Sequence, residues 1–323
     1  MTHIVVLATG GTISSRKRHD GAAVATDSAE ALVRAADAGR QVTVEPIDLL
    51  RENSFNLSLG DLRRIAEGVR AQLARPEVDG IVVTHGTDTV EETSMLLDLV
   101  HADERPVVLT GAQLSPDDEA HDGPRNLREA IAVAAAPGSR GAGVLVSFAG
   151  RIFAAAGIRK GATTAAQPFV APTGHIGSVV AGRVTFHTRP VREEVLPAPT
   201  EAFDATRVDI LVAYPGATPD LFDASVAAGA AGIVLAGTGT GNLNRGFVDA
   251  IRSATDAGTV VALSTRVADG PVVPVYGDGG AVDVLAAGAV PVTWLPYSQA
   301  RVLLALLLSH YPSGEAASRL RRY

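Results

Sequence analysis

The chain has 323 residues, a net charge of −7 and no cysteine. The missing cysteines exclude disulfides, thiolate catalysis and zinc–thiolate sites, and the acidic balance weighs against nucleic acid or an anionic membrane as partner. Hydrophobic residues make up 46% but aromatics only 4%, so the core must be Ala, Val, Leu and Ile, a composition that suits helices packed on a parallel sheet. The length suits two domains of ordinary size. Met1 to Ile4 has neither a basic n-region nor a small-residue cleavage site and reads as a first strand rather than a signal peptide. Val302 to Leu308 is too short an apolar run to span a bilayer. The expectation is a cytoplasmic protein with no membrane and no nucleic-acid partner. The basic triplet Arg16-Lys17-Arg18 reads as a solvated loop.

In chain order, His3 to Ala8 is an apolar strand. Asp27-Ser28-Ala29-Glu30 resembles a capping box, and a helix follows to about Ala36. Val42 to Ile47 is a strand. Ser58 caps a helix whose apolar positions Leu59, Leu62, Ile65, Val69 and Leu73 recur at threes and fours. Asp79 to Thr84 is a strand and Thr89 to Leu99 a helix. Val107 to Leu109, a helix after Pro124, and Val144 to Ser147 continue the series. This order implies parallel strands with right-handed crossovers, and such sheets bind ligands beyond their carboxyl ends.

The pattern then changes. Residues 149–190 read as loops with a hairpin around Gly174 to Phe186. Arg189 to Phe203 is polar and aperiodic and reads as a linker. A smaller alternation follows, with strands at Asp209 to Ala213, Gly232 to Ala236 and Val260 to Ser264 and a final helix from about Ser298. The fold expected is α/β in two domains. The larger covers residues 1–190 on an open, mostly parallel sheet with flanking helices, 191–204 is the linker, and a smaller α/β domain covers 205–323.

Two strand ends carry chemistry. The first strand ends in Ala8-Thr9-Gly10-Gly11-Thr12-Ile13, where two glycines permit a tight turn and close approach of a ligand. By itself this is also the signature of a turn with a capping threonine. The second reads Val83-Thr84-His85-Gly86-Thr87-Asp88-Thr89-Val90-Glu91-Glu92-Thr93. There a hydroxyl and a carboxylate stand side by side where a strand hands over to a helix, whose N-terminal N–H groups suit a carboxylate or an oxyanion. Asp88 as a simple N-cap leaves Gly86 and the repeated threonines unexplained.

These two segments resemble the signature segments of the bacterial L-asparaginase family. Val107 to Ala112, Asp122-Gly123-Pro124-Arg125-Asn126-Leu127, Lys160 with Thr163-Thr164, Gly237 to Leu243, Ser264 to Val267 and Ala300 to Leu304 extend the likeness, in order, over nearly the whole chain. The resemblance implies hydrolysis of the side-chain amide of L-asparagine. Thr12 would be the nucleophile, and Thr87, Asp88 and Lys160 the second catalytic group, with Lys160 relaying a proton through Thr87. It implies substrate contacts at Gly11, Ser54, Phe55, Gly86 and Ala112. N–H groups near Gly11 and Thr87 would receive the oxyanion. A homotetramer is implied, with Asn242 reaching the site of a neighbouring subunit. No cofactor and no metal is called for, and the partner is a small amino-acid amide.

Three departures stand out. The family's loop tyrosine is missing from Ser14 to Thr26, so that either Lys160 and Thr87 activate Thr12 alone or another group, His19 or Tyr276, substitutes. Phe55 stands where family members carry glutamine. No glutamate occurs between Glu201 and Glu315 to contact a substrate ammonium, and Asp278 is a candidate replacement that no motif marks. The alternative from another class is an amide-binding or altered-specificity protein on the same fold. A dinucleotide site at Gly237, Gly239 and Gly241 lacks the third glycine of the fingerprint, because Asn242 stands there. A metal hydrolase lacks paired histidines, and His85 reads as structural. A tRNA-dependent amidotransferase subunit is disfavoured by the acidic balance.

Overall fold

A computed structural model describes residues 1–37, 39 and 42–323. The chain divides into two compact units, Met1–Ala198 and Pro199–Tyr323.

In the first unit, β1 (Thr2–Gly10) is followed by a small antiparallel hairpin, β2 (Ser15–Lys17) and β3 (Ala23–Ala25). Next come α1 (Ala29–Ala36), β4 (Val42–Glu52), α2 (Leu59–Leu73), β5 (Gly80–Thr84), α3 (Val90–Val100), β6 (Val107–Thr110), α4 (Gly123–Ala135) and β7 (Val144–Phe148). The unit continues with β8 (Arg151–Ala154), β9 (Arg159–Lys160), β10 (Phe169–Val170), β11 (Gly177–Val180) and β12 (Arg183–Phe186). Eight strands form one sheet in the order β12-β11-β8-β7-β6-β5-β1-β4. Strands β4, β1, β5, β6 and β7 are parallel, as the alternation of strands and helices predicts. Its other edge is antiparallel, and β8 there was not foreseen.

The antiparallel edge has a local cause. Ala149 and Gly150 both have positive φ (47° and 77°), and so do Ala181 and Gly182 (50° and 77°). Positive φ at both central residues makes the two-residue turn whose twist matches paired strands. Each Ala-Gly pair therefore folds the chain straight back on itself.

Side chains of β1 alternate between the two faces of the sheet. Ile4, Val6 and Ala8 pack towards α1 and α4, whereas Val5 and Leu7 pack towards the side of α2 and α3. A strand buried on both faces must be apolar throughout, which is why Ile4 to Leu7 shows no polar alternation. The helix starts follow their sequences. Ser58 and Asp61 form a capping box on α2, and Ser28 accepts the Ala31 N–H at the start of α1. The segment after Phe186 returns to this unit. Arg192 donates to the Asp98 carboxylate and to the carbonyls of Asp98 and His101, and Leu196 N–H reaches Leu99 O.

The second unit holds α5 (Glu201–Ala205), β13 (Val208–Val212), α6 (Asp220–Ala227), β14 (Gly232–Gly237), α7 (Arg245–Asp256), β15 (Val260–Thr265), α8 (Ala281–Ala286), β16 (Val290–Pro291), α9 (Tyr297–His310) and α10 (Ser313–Leu320). Its four strands lie parallel in chain order. On one face Phe222, Phe247, Ile251 and Val284 pack on Ile233, Leu235, Val261 and Leu263. Helix α9 packs on β13, β14 and β15 and also meets α5 and α10, which explains why every residue from Val302 to Leu307 is buried. Among the described residues no helix is long and apolar enough to cross a membrane.

The turn from β5 into α3 is locked by one buried side chain. His85 Nδ1–H donates to Gly86 O (2.8 Å), so Nε2 must be the acceptor, taking the Thr93 hydroxyl (2.9 Å). Burial pushes the imidazole pKa down from 6.5 to about 4. A neutral His85 contributes its full stability above pH about 6.5. That contribution is lost as the pH falls to about 4, because the unfolded chain takes up a proton that the folded one refuses. Across this window the unfolding free energy should fall by about 1.4 kcal/mol per pH unit on account of His85. His101, also held low by burial, adds to the slope. His85→Gln should flatten the dependence measured by urea unfolding at stepped pH, and an unaltered slope would mean that His85 is not the neutral lock described.

Candidate active site

The carboxyl ends of β1, β4, β5 and β6 converge because glycine stands at each closest approach. A methyl group on Gly11 would lie 2.4 Å from Gly86 N, one on Gly86 2.5 Å from Ser54 Oγ, and one on Gly111 2.3 Å from His85 O. Gly11 also has φ of +82°, which L side chains avoid. Thr12 and Thr87 each follow directly on one of two glycines whose backbones touch. That contact fixes the two hydroxyl-bearing turns to one another. Thr89 Oγ1 donates to Ser54 O (2.8 Å), tying the start of α3 to the turn after β4.

Thr12 opens a single 3-10 turn, Thr12–Ser14. The hydroxyls of Ser14 and Ser15 both donate to Gly11 O (3.1 and 2.8 Å), which pins that turn from below. Gly11 spends its own N–H on Glu52 O (3.0 Å). That N–H is therefore not open to a ligand.

Lys160 comes from the far side of the site. Its strand β9 pairs with β10, and Phe169 of β10 packs edge-on against Phe148 at the end of β7 (centroids 5.2 Å apart). The Lys160 N–H donates to Glu91 Oε2 (3.1 Å). So anchored, Lys160 Nζ donates to Thr87 Oγ1 (2.8 Å) and to Asp88 Oδ1 (2.6 Å). Asp88 does not cap α3, whose N-cap is Thr89. Instead it holds the ammonium that in turn holds Thr87. Thr87 is 6% exposed, whereas the Asp88 side chain is 53% exposed, so the pair presents a closed hydroxyl beneath an open carboxylate.

Of the other residues expected at the site, Ser54 and Ala112 are buried at the strand ends, whereas Phe55 is 65% exposed and so is not a core residue. Asn242 lies in the second unit, where its carbonyl accepts the Ala281 N–H (3.1 Å). Asp278 is paired with Arg245, whose guanidinium lowers its pKa. His19 sits exposed in the turn of the β2–β3 hairpin, and Tyr276 is exposed in the second unit. The triplet Arg16-Lys17-Arg18 is less free than a solvated loop. Arg16 bridges Asp27 (2.8 Å) and Asp117 (3.0 Å), and Asp117 also accepts the Lys17 N–H (2.7 Å).

The sequence did not point to Gln113. Its Oε1 accepts the Thr87 hydroxyl (3.3 Å), and its Nε2 donates to Thr163 O (3.2 Å) and Ala165 O (3.0 Å), just beyond Lys160. Asp122 holds its backbone by accepting the N–H groups of Gln113 and Leu114. The available signal was position alone: Gln113 is the first polar side chain after Thr110-Gly111-Ala112. Among the described residues there is no group of three or more His, Asp or Glu arranged to hold a metal ion.

Comparison with known proteins adds a second line. The model described as "Asparaginase, N-terminal" matches residues 3–192, and that described as "Glutaminase/Asparaginase C-terminal domain" matches residues 207–320. The chain is 37% identical to a Deinococcus radiodurans protein named "Probable L-asparaginase", over 99% of this chain and 97% of that one. It is 31% identical to the L-asparaginase of Bacillus licheniformis, over 96% and 97%. With a Haemophilus influenzae protein named "Probable L-asparaginase periplasmic" it shares 34% identity over 96% and 89%. The matches cover both units, and the chain therefore belongs to the asparaginase family.

Proposed function

We propose that this protein is an amidohydrolase that converts L-asparagine to L-aspartate and ammonia, with Thr12 as its nucleophile. The observation that carries this reading is Lys160 Nζ bound at once to Thr87 Oγ1 and Asp88 Oδ1, at a helix start whose glycine touches the Thr12 turn. A threonine hydroxyl needs a base to attack an amide, and a lysine coupled to a second hydroxyl supplies a proton relay.

In this route Thr12 Oγ bonds to the amide carbon while its proton enters the relay. The carbonyl π pair moves to oxygen, facing the N–H groups of Thr12 and Thr87. The C–N bond then breaks, ammonia leaves with a returned proton, and an aspartyl ester remains on Thr12. Water attacks the ester by the same relay and frees the acid. No step calls on a metal or cofactor. Asp88, half exposed beside Lys160, suits the substrate ammonium, and Ser54 with the surrounding backbone N–H groups suits its carboxylate. In a homotetramer, Asn242 of a neighbouring subunit would offer its amide NH2 group, since its carbonyl is already taken.

Ammonia release from L-asparagine, L-glutamine and D-asparagine, measured beside Thr12→Ala, tests the reading. L-Asparagine should be turned over, and the variant should lose at least about a thousandfold in kcat with its fold intact. Retained turnover in the variant would remove Thr12 from the nucleophile role. Thr87→Val keeps the shape and loses the hydroxyl, and it should lower kcat by about a hundredfold or more. Phe55→Gln restores a hydrogen-bonding side chain beside Ser54 and should lower KM for L-asparagine about fivefold, the worth of one net hydrogen bond. An unchanged KM would place Phe55 away from the substrate.

A further inference from the structure

We propose that Gln113 is a positioning residue that stabilises the proton-loaded state of the Thr87–Lys160 relay by accepting the Thr87 hydroxyl proton. The inference rests on the amidohydrolase reading above. It begins from an amide whose orientation is fixed. Nε2 of Gln113 faces two carbonyl oxygens, Thr163 O and Ala165 O. Turned over, the amide would set its own oxygen against both, so Oε1 must face Thr87. A threonine hydroxyl has one proton, and with Lys160 donating into its oxygen that proton goes to Gln113.

This arrangement matches one state of the relay. Before attack, Lys160 must be a neutral amine with its lone pair towards Thr87, whose proton then points to Nζ rather than to Gln113. As Thr12 Oγ forms its bond to the amide carbon, the Thr12 proton passes to Thr87 Oγ1 and the former Thr87 proton passes to Nζ. Lys160 is now an ammonium donating to Thr87 and Asp88, and the newly acquired Thr87 proton needs an acceptor. Gln113 Oε1 is that acceptor. When ammonia departs, the proton returns along the same path.

Asp88 and Glu91 face the relay from the start of α3, through Lys160 Nζ and Lys160 N–H respectively. Among the described residues, Asp122 accepts from the backbone of Gln113 and Leu114 and from the amide of Asn126. Arg159 precedes Lys160 on β9. His85 is buried and neutral. Gln113 itself is uncharged and partly exposed, so replacements of similar size fit.

Two substitutions with opposite consequences test the idea through the pH dependence of kcat/KM for L-asparagine. Gln113→Met removes the acceptor, makes the loaded relay harder to form, and should move the acid limb to lower pH by about half a unit to one unit while kcat falls several-fold. Gln113→Glu supplies a stronger, charged acceptor and should move the limb to higher pH. Opposite shifts with thermal midpoints close to the wild type support the proposal. Limbs that stay put, or that move the same way in both variants, overturn it, because loosening of residues 163–165 is common to both. Wild-type turnover that vanishes in Thr12→Ala keeps the catalytic reading standing in that case. No turnover by the wild type overturns both.

Discussion

The contact on which the site depends is between two backbones. Gly11 and Gly86 meet at a separation that no β-carbon tolerates, and Gly86 meets Ser54 in the same way on its other side. Neither contact is strong in itself. What they do is remove distance: the end of β1, the turn after β4 and the start of α3 close onto one point. The hydroxyl-bearing residues follow as immediate neighbours of the touching glycines. The nearness of the two hydroxyl-bearing turns comes from backbone packing first and from side-chain hydrogen bonding second.

Around that point the polar groups are tied in a definite order. Thr89 and Ser54 join the two turns, Glu91 fixes the backbone of Lys160, and Lys160 fixes Thr87 and Asp88. Gln113 then joins Thr87 to the segment beyond Lys160. Ser54, Thr87, Asp88, Thr89 and Gln113 come from turns and loops beyond carboxyl strand ends, Glu91 from the first turn of α3 and Lys160 from β9, and apolar layers pack on both faces of β1 beneath them. A buried, neutral His85 belongs to this support, since its nitrogens are spent on the Gly86 carbonyl and the Thr93 hydroxyl of α3.

Much of this was legible beforehand, for identifiable reasons. The parallel strands announce themselves because strands buried on both faces are apolar runs, and Ser58 announces the start of α2 by its capping chemistry. Thr12, Thr87, Asp88 and Lys160 stood out through segments that resemble a family. Other features had no local mark. Strand β8 follows an Ala-Gly turn, and alanine is not a residue one expects at positive φ. Gln113 stands alone among apolar neighbours and Asp117 opens an ordinary acidic run, and the meaning of each comes from partners far away in the chain. The Arg192–Asp98 pair joins residues 94 positions apart, which no window of sequence displays. The Gly11 N–H is engaged in a way no window of sequence displays, since the Glu52 carbonyl that takes it lies on another strand.

The second unit covers its sheet in a different order from the first. In the first unit each helix is made between the strands it covers. In the second, β13, β14 and β15 all precede α9, the helix that closes one of their faces. A ribosome delivering the chain from its N-terminus therefore releases three strands with one apolar face bare, and that face stays wet until Val302 to Leu307 has emerged. Synthesis that stalls or stops just before α9 would leave a sheet able to seek any other apolar surface. The unit's solubility during manufacture thus rests on a helix made after its main strands.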